Sequence, residues 1–153
     1  MKKHKNIDTV PYVEIERYAG IWYEIGRYPS WFEKDTCNVS AEFIPKEGYI
    51  EVINRCEKSK KEKKTQGKAY IVPESGNAKL KMQFRWPIKC DYWIIDLDDN
   101  YQWAVVSDSS QSSLWILYRQ PLIENDELRP IVYRLVNRGF DLAKVHWTKQ
   151  EIK

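Results

Sequence analysis

Cys37, Cys56 and Cys90 are the only thiols in the 153-residue chain, and they are its strongest potential nucleophiles. A thiol attacks at neutral pH only with help from a neighbouring base or cation. The two histidines, His4 and His146, stand in the N-terminal leader and close to the C-terminus, so neither is placed to serve Cys56 as a base. No catalytic residue is assigned. Neither the histidines nor the cysteines have metal-site spacing, and no glycine-rich loop is present to cradle phosphate. No metal and no cofactor are expected. The residue pair with the clearest physical logic lies elsewhere: Trp22, two residues after Gly20, and Arg119, at the end of Leu114-Trp115-Ile116-Leu117-Tyr118-Arg119. A guanidinium can cover an indole face and donate hydrogen bonds around it. The two segments read as the two ends of one closed β-barrel.

Composition narrows the partners. Charged residues make up 31% and aromatics 14%, while the net charge of +3 is too small to argue for nucleic acid. No apolar run is long enough for a helical membrane span, and the basic start, Met1 to Asp8, has no apolar core behind it. As written, the chain carries no signal peptide and reads as cytoplasmic. Its length suits one domain, with residues 1–12 a flexible N-terminal segment and 13–153 the domain itself.

The elements that position these residues are short and alternate with turns. Period-2 patterning predicts eight strands: Tyr23 to Tyr28, Asn38 to Ile44, Tyr49 to Cys56, Gly67 to Val72, Lys79 to Arg85, Tyr92 to Leu97, Trp103 to Ser107 and Leu114 to Arg119. Hairpin-like connections make sequence neighbours spatial neighbours, so the strands can close up-and-down. The pattern then switches to helical spacing at Leu128, Ile131, Val132, Leu135 and Val136. Asn125-Asp126-Glu127 reads as a cap, Pro130 removes a donor about one turn in, and Gly139 ends the helix. Ala143 to Thr148 predicts a further strand outside the barrel. Val39, Ala41 and Phe43 share a face, as do Ile50 and Val52, and Leu80, Met82 and Phe84 form the clearest apolar row. Centring the second hairpin on Lys46-Glu47 puts Phe43 opposite Ile50, Ala41 opposite Val52, Val39 opposite Asn54 and Cys37 opposite Cys56. That register predicts a Cys37–Cys56 disulfide under oxidising conditions, with Cys90 free.

Three segments in order, Tyr18-Ala19-Gly20-Ile21-Trp22-Tyr23-Glu24-Ile25-Gly26-Arg27, Tyr92-Trp93-Ile94-Ile95-Asp96-Leu97-Asp98-Asp99-Asn100-Tyr101 and the arginine segment, carry a family resemblance. The chain resembles the lipocalins from about Val13 to Thr148, and within them it is most similar to bacterial lipocalins, plant temperature-induced lipocalins and apolipoprotein D. The resemblance implies an all-β fold, an eight-stranded antiparallel up-and-down barrel with one C-terminal α-helix packed outside. It makes Gly20, Trp22 and Arg119 the barrel floor. It points Trp22, Glu24, Gly26 and Tyr28 inward on the first strand, Tyr92 and Ile94 on the sixth, Ala104 and Val106 on the seventh, and Ser113, Trp115, Leu117 and Arg119 on the eighth. Trp103 and Val105 then face the helix. Glu24, with Asp96, becomes a buried carboxylate whose expected partner is Arg119.

The resemblance also implies a carrier or store for one small hydrophobic or amphipathic molecule, a fatty acid or lysophospholipid, and no catalysis. Small inward residues (Gly26, Ala41, Ala69, Ala104) leave an eight-stranded barrel room for it. The expected lining is Tyr28, Phe32, Val39, Ala41, Phe43, Val52, Asn54, Ala69, Met82, Phe84, Trp86, Tyr92, Ile94, Val106 and Trp115. Trp31-Phe32 forms a lip at the open end, or anchors its loop there. The run Lys58-Ser59-Lys60-Lys61-Glu62-Lys63-Lys64 reads as a solvated loop at the mouth. Its alternative role is a positive rim for anionic head groups or a membrane surface, through Lys58, Lys60, Lys61, Lys63 and Lys64. The rival function is a lipocalin-fold enzyme of isomerase type using a mouth or cavity thiol. Bacterial members carry a lipidated cysteine after a leader, which nothing before Cys37 supplies; with a leader removed, the resemblance favours periplasm or outer membrane. Oligomeric state is left open.

Overall fold

The computed structural model describes residues 7–29, 36–85 and 88–151. Its elements are α1 (Ile15–Tyr18), β1 (Gly20–Arg27), β2 (Thr36–Lys46), β3 (Tyr49–Lys58), β4 (Lys61–Ile71), β5 (Lys79–Arg85), β6 (Ile88–Leu97), β7 (Trp103–Ser107), β8 (Leu114–Tyr118), α2 (Asn125–Asn137), a 3-10 turn (Leu142–Lys144) and β9 (His146–Trp147). Each of β2 to β7 is antiparallel to its successor, β8 returns to β1, and β1 pairs with β2 to close the ring. β9 joins the outer edge of β1, with Gly26 opposite Trp147. Closure leaves the eight-stranded barrel without the unpaired edges of an open sheet.

Two hydrophobic clusters divide the residues by face. The inner one includes Trp22, Phe43, Val52, Ala69, Leu80, Ile94, Val106 and Leu117, which fill the lower barrel. The outer one joins Ile25, Trp93, Ile95, Val105 and Ile116 on the strands to Ile131 and Leu135 of α2. The predicted helical stripe is therefore the face that covers β7 and β8. α2 begins at Asn125 and runs through Pro130, so the proline does not delay it, and Glu124 occupies the cap position without a side-chain cap bond. Its end is the expected glycine stop. Gly139 has φ +89°, its N–H donates to Val136 O and the N–H of Phe140 to Leu135 O, which is the Schellman pattern. Within the segment 1–12, Ile7 is buried in the outer cluster and Val10 donates to Ile94 O at 3.0 Å.

The turn between β2 and β3 is Glu47-Gly48, with Gly48 at φ +85°. This shifts the predicted register by two: Phe43 faces Val52 and Ala41 faces Asn54. The largest departure is the lysine run, expected as a loop. It is instead a hairpin, Ser59-Lys60 at φ 54° and 62° joining strands in which Lys58 pairs with Lys61. Two left-handed residues are what a two-residue hairpin turn requires, and Ser-Lys lacks the usual Asn-Gly signature. α1, a single turn, was not predicted.

Candidate functional site

The barrel is sealed at the end where α1 enters. Trp22, wholly buried, donates from Nε1 to Tyr18 O at 2.8 Å. The Arg119 guanidinium lies 3.7 Å over the indole centroid and donates to Tyr101 O (3.0 Å), Ile21 O (3.0 Å) and Arg17 O (2.7 Å). Gly20 sits at φ +100°, and a Cβ there would meet Arg119 Nη1 at 3.4 Å, so glycine lets the chain turn beneath the cation. Above Trp22 the Tyr18 ring meets those of Phe43 and Tyr92 edge-on, Phe43 and Tyr92 lie tilted against each other, and the Tyr18 and Tyr92 hydroxyls are 2.6 Å apart. Burial pushes both phenols well above their ordinary pKa, and it lowers that of Arg119. A void of only about 10 Å³ remains among Tyr18, Phe43, Ile50, Leu80 and Ile94, too small to hold more than a single water. Phe43 and Tyr92, expected on the ligand wall, are therefore also part of the floor.

Halfway up, the inner wall changes. Val52, Ala69, Ile94 and Val106 are buried, and Met82 closes this level. Beyond it Val39, Ala41, Asn54 and Trp115 are half-buried, Phe84 is 38% exposed and Cys90 is exposed. Cys90 pairs with Met82, and directly opposed residues share a face, so its exposure is exposure to the barrel mouth. The ring of Phe84 stands where a Cβ on Gly67 would be, its Cδ1 2.6 Å from that position. The arrangement is a packed apolar floor beneath an open, mixed wall.

A family model described as a lipocalin-like domain matches residues 13–150. The chain belongs to the lipocalin family. It is similar to temperature-induced lipocalin-1 of Arabidopsis thaliana, with 34% identity over 98% of this chain and 86% of that one. It is also similar to the outer membrane lipoprotein Blc of Citrobacter freundii, with 34% identity over 95% and 84%. Insecticyanin from the tobacco hornworm Manduca sexta shares the fold, with a TM-score of 0.76 at 17% identity, covering 99% of this chain and 86% of that one. Family membership supports binding of a small hydrophobic ligand within the barrel.

Bulges in the lipocalin barrel correct several expected positions. Between Glu24 and Gly26 the β1–β8 ladder slips: Glu24 faces Leu117, Gly26 faces Ile116 and Arg27 faces Trp115. Gly26 thus turns outward, where a Cβ would meet Trp147 Cε3 and Val145 Cγ1 at 3.0 Å. Tyr28 is outside as well, its ring 6.1 Å from Phe140 and its hydroxyl accepting from the Asp141 N–H. Arg27 takes the inner position instead. It donates to Glu24 Oε2 at 2.7 Å, with the two side chains 3% and 7% exposed. Thr148 Oγ1 adds a hydrogen bond to the same carboxylate at 2.5 Å. The partner of Glu24 is therefore Arg27 and not Arg119. A glycine inside a strand is the signal that could have disclosed this slip.

Asp96 is displaced in the same way by a bulge after Ile94. It shares the outer face with Val105 and accepts two hydrogen bonds from Arg134 of α2, at 2.6 and 2.8 Å. In β2 a bulge between Cys37 and Ser40 sets Asn38 and Val39 together against Cys56, and Cys37 faces Glu57. Cys56 faces Lys63 on the inner side. Cys37 and Cys56 are not bridged, because the shifted register and the bulge place them on opposite faces. Trp31, Phe32 and Trp86 lie outside the described residues. Among those described, no group of three or more His, Cys, Asp or Glu side chains could hold a metal ion.

Proposed function

We propose that this lipocalin binds a single fatty acid or lysophospholipid in the upper barrel, as a carrier or store and without catalysis. The observation that supports it is the change of exposure along one inner wall, from buried Val52, Ala69 and Met82 to accessible Phe84, Cys90 and Trp115. Apolar surface that stays accessible on the inner face of a closed barrel gains about 25 cal/mol for every Å² a ligand covers. A few hundred Å² of covered chain reaches micromolar affinity. Titration with dodecanoate and with a lysophospholipid, followed by tryptophan emission, tests the reading through Trp115. One site per barrel is expected; a flat response with every acyl ligand, confirmed by calorimetry, removes it.

A second reading, an isomerase-like enzyme, draws on the place of Cys56 and Cys90 on the inner face. Alkylation of the thiols separates the two. A carrier keeps most of its affinity, whereas a thiol enzyme loses all turnover.

A further inference from the structure

The inner face of the β3–β4 hairpin changes character from floor to mouth. Its ladder is unbroken, and the inward rungs run Ile50 with Ala69, Val52 with Gly67, Asn54 with Thr65, Cys56 with Lys63 and Lys58 with Lys61. They are apolar, then neutral and polar, then cationic. From the Val52 rung to the Lys58 rung is six residues, about 20 Å along the strand, enough for a head group and an extended chain.

The charges on the two faces of this hairpin are treated differently. Outward, Arg55 faces Lys64 and Glu57 faces Glu62, so each rung is like-charged. The diagonals offset this, setting Arg55 beside Glu62 and Glu57 beside Lys64, and Arg55 also donates to Glu42 Oε1 at 2.9 Å. Inward, the diagonals set Lys58 beside Lys63 and Lys61 beside Cys56, and among the described residues no inward ladder position supplies a carboxylate. The hairpin tip also holds Ser59 and Lys60 in left-handed geometry without a glycine. The Arg27 guanidinium donates to Thr36, the ladder partner of Lys58, and is engaged by Glu24, and at the β7–β8 connection Asp108 accepts from Ser110, Ser112 and Ser113. The inward lysines are thus a local excess of positive charge that opposes the pairing of its own hairpin.

We infer that Lys58, Lys61 and Lys63 form an anion subsite at the mouth, which holds the carboxylate or phosphate head of an amphiphile whose chain lies down the apolar rungs. This rests on the ligand-binding reading above and adds to it the head charge and the orientation. Because the lysines are accessible, the selectivity is electrostatic and weakens with salt.

The test compares dodecanoate and a lysophosphatidic acid with uncharged dodecanol and zwitterionic lysophosphatidylcholine, in the wild type, in K58Q/K61Q/K63Q and in K60Q/K64Q. The wild type should prefer the anions by about tenfold or more over the uncharged and zwitterionic ligands, less so in high salt. The triple variant should lose that preference while binding dodecanol unchanged, and K60Q/K64Q, altered at the turn and the outer face, should keep it. Whichever anion loses more in the triple variant identifies the head as carboxylate or phosphate. Circular dichroism checks the fold, and thermal stability of the triple variant should be equal or higher once the repulsion is relieved. Equal affinity for dodecanol and dodecanoate in the wild type overturns the inference and leaves the ligand-binding reading standing. Failure to bind any of the four sinks both. If the triple variant loses only its adsorption to phosphatidylglycerol vesicles and keeps its anion preference, the lysines serve a membrane surface and the subsite assignment is wrong.

Discussion

Replacing Arg119 by alanine should destabilise the barrel without touching the ligand site. The guanidinium covers the Trp22 indole at 3.7 Å and holds three backbone carbonyls, Arg17 O, Ile21 O and Tyr101 O, at 2.7 to 3.0 Å. A cation over an indole contributes roughly 0.5–2 kcal/mol. Each charged hydrogen bond contributes roughly 1.5–3 kcal/mol in a buried setting, but the bonds to Arg17 O and Ile21 O lie at the exposed rim, where water replaces the lost donor. Because Arg119 is only half-buried, the first two contributions are taken at their lower ends, and discounting the two rim bonds to about 0.5 kcal/mol each then gives a total of about 3 kcal/mol. For a chain of this size that corresponds to a fall in Tm of roughly 6–12 °C. Urea unfolding followed by tryptophan emission measures it. Arg119→Lys should recover less than half, since an ammonium cannot both lie flat on the ring and reach three acceptors. Dodecanoate affinity of the folded fraction should stay within a factor of two. Unchanged stability with abolished binding would show that Arg119 contacts ligand and that the floor is misassigned.

The remaining predictions concern the wall and the loop. Ala41→Trp, at the half-buried position between Trp22 and Asn54, should occupy ligand space and weaken dodecanoate binding about tenfold, equivalent to about 1.4 kcal/mol; calorimetry reads it, and severe destabilisation instead would mean that the upper barrel is already filled. Burial raises the pKa of Asp108, but hydrogen bonds from Ser113, Ser112 and Ser110 outweigh it and hold the carboxyl down at about 2. A depressed folded-state pKa contributes stability that is complete above the unfolded value of about 3.9 and lost as pH falls through the folded one. Asp108→Asn should therefore cost on the order of 1 kcal/mol at pH 7, after discounting for the group's exposure, and should flatten the fall in stability between about pH 4 and 2; an unchanged acid slope refutes the role of the serines.

Much of the barrel was legible because its cause is local. Alternation on β5, the helical stripe from Leu128 to Leu135 and the glycine stop at Gly139 each depend on a few neighbouring residues and burial on one side. The Trp22–Arg119 floor was legible for another reason. With seven tryptophans in the chain, residue type alone would not pair an indole with a cation nearly a hundred positions away; the resemblance of the two flanking segments to the lipocalins did, and the guanidinium lies over the indole as that resemblance implies. What could not be read were quantities that a single residue shifts. The second hairpin turn lies one residue later than expected, and this moves every β2–β3 partner by two.

The ligand wall is where those single-residue effects concentrate. A strand with strict alternation would direct Glu24, Gly26 and Tyr28 into the barrel and leave a carboxylate there with no cation on its own strand. The bulge reverses everything after Ile25, so that the same strand delivers Glu24 and Arg27 to one side, a buried pair closed by Thr148 from the chain's C-terminal segment. What the bulge accommodates is visible only in three dimensions: Trp147 and Val145 approach Gly26 so closely that a Cβ there would meet both at 3.0 Å. The cation that the wall needs is thus drawn inward by a strand that sits more than a hundred residues away. Among the described residues the inward lysines of β3 and β4 face no carboxylate on their ladder, and under the anion-subsite proposal that contrast separates charge held by the fold from charge offered to a ligand.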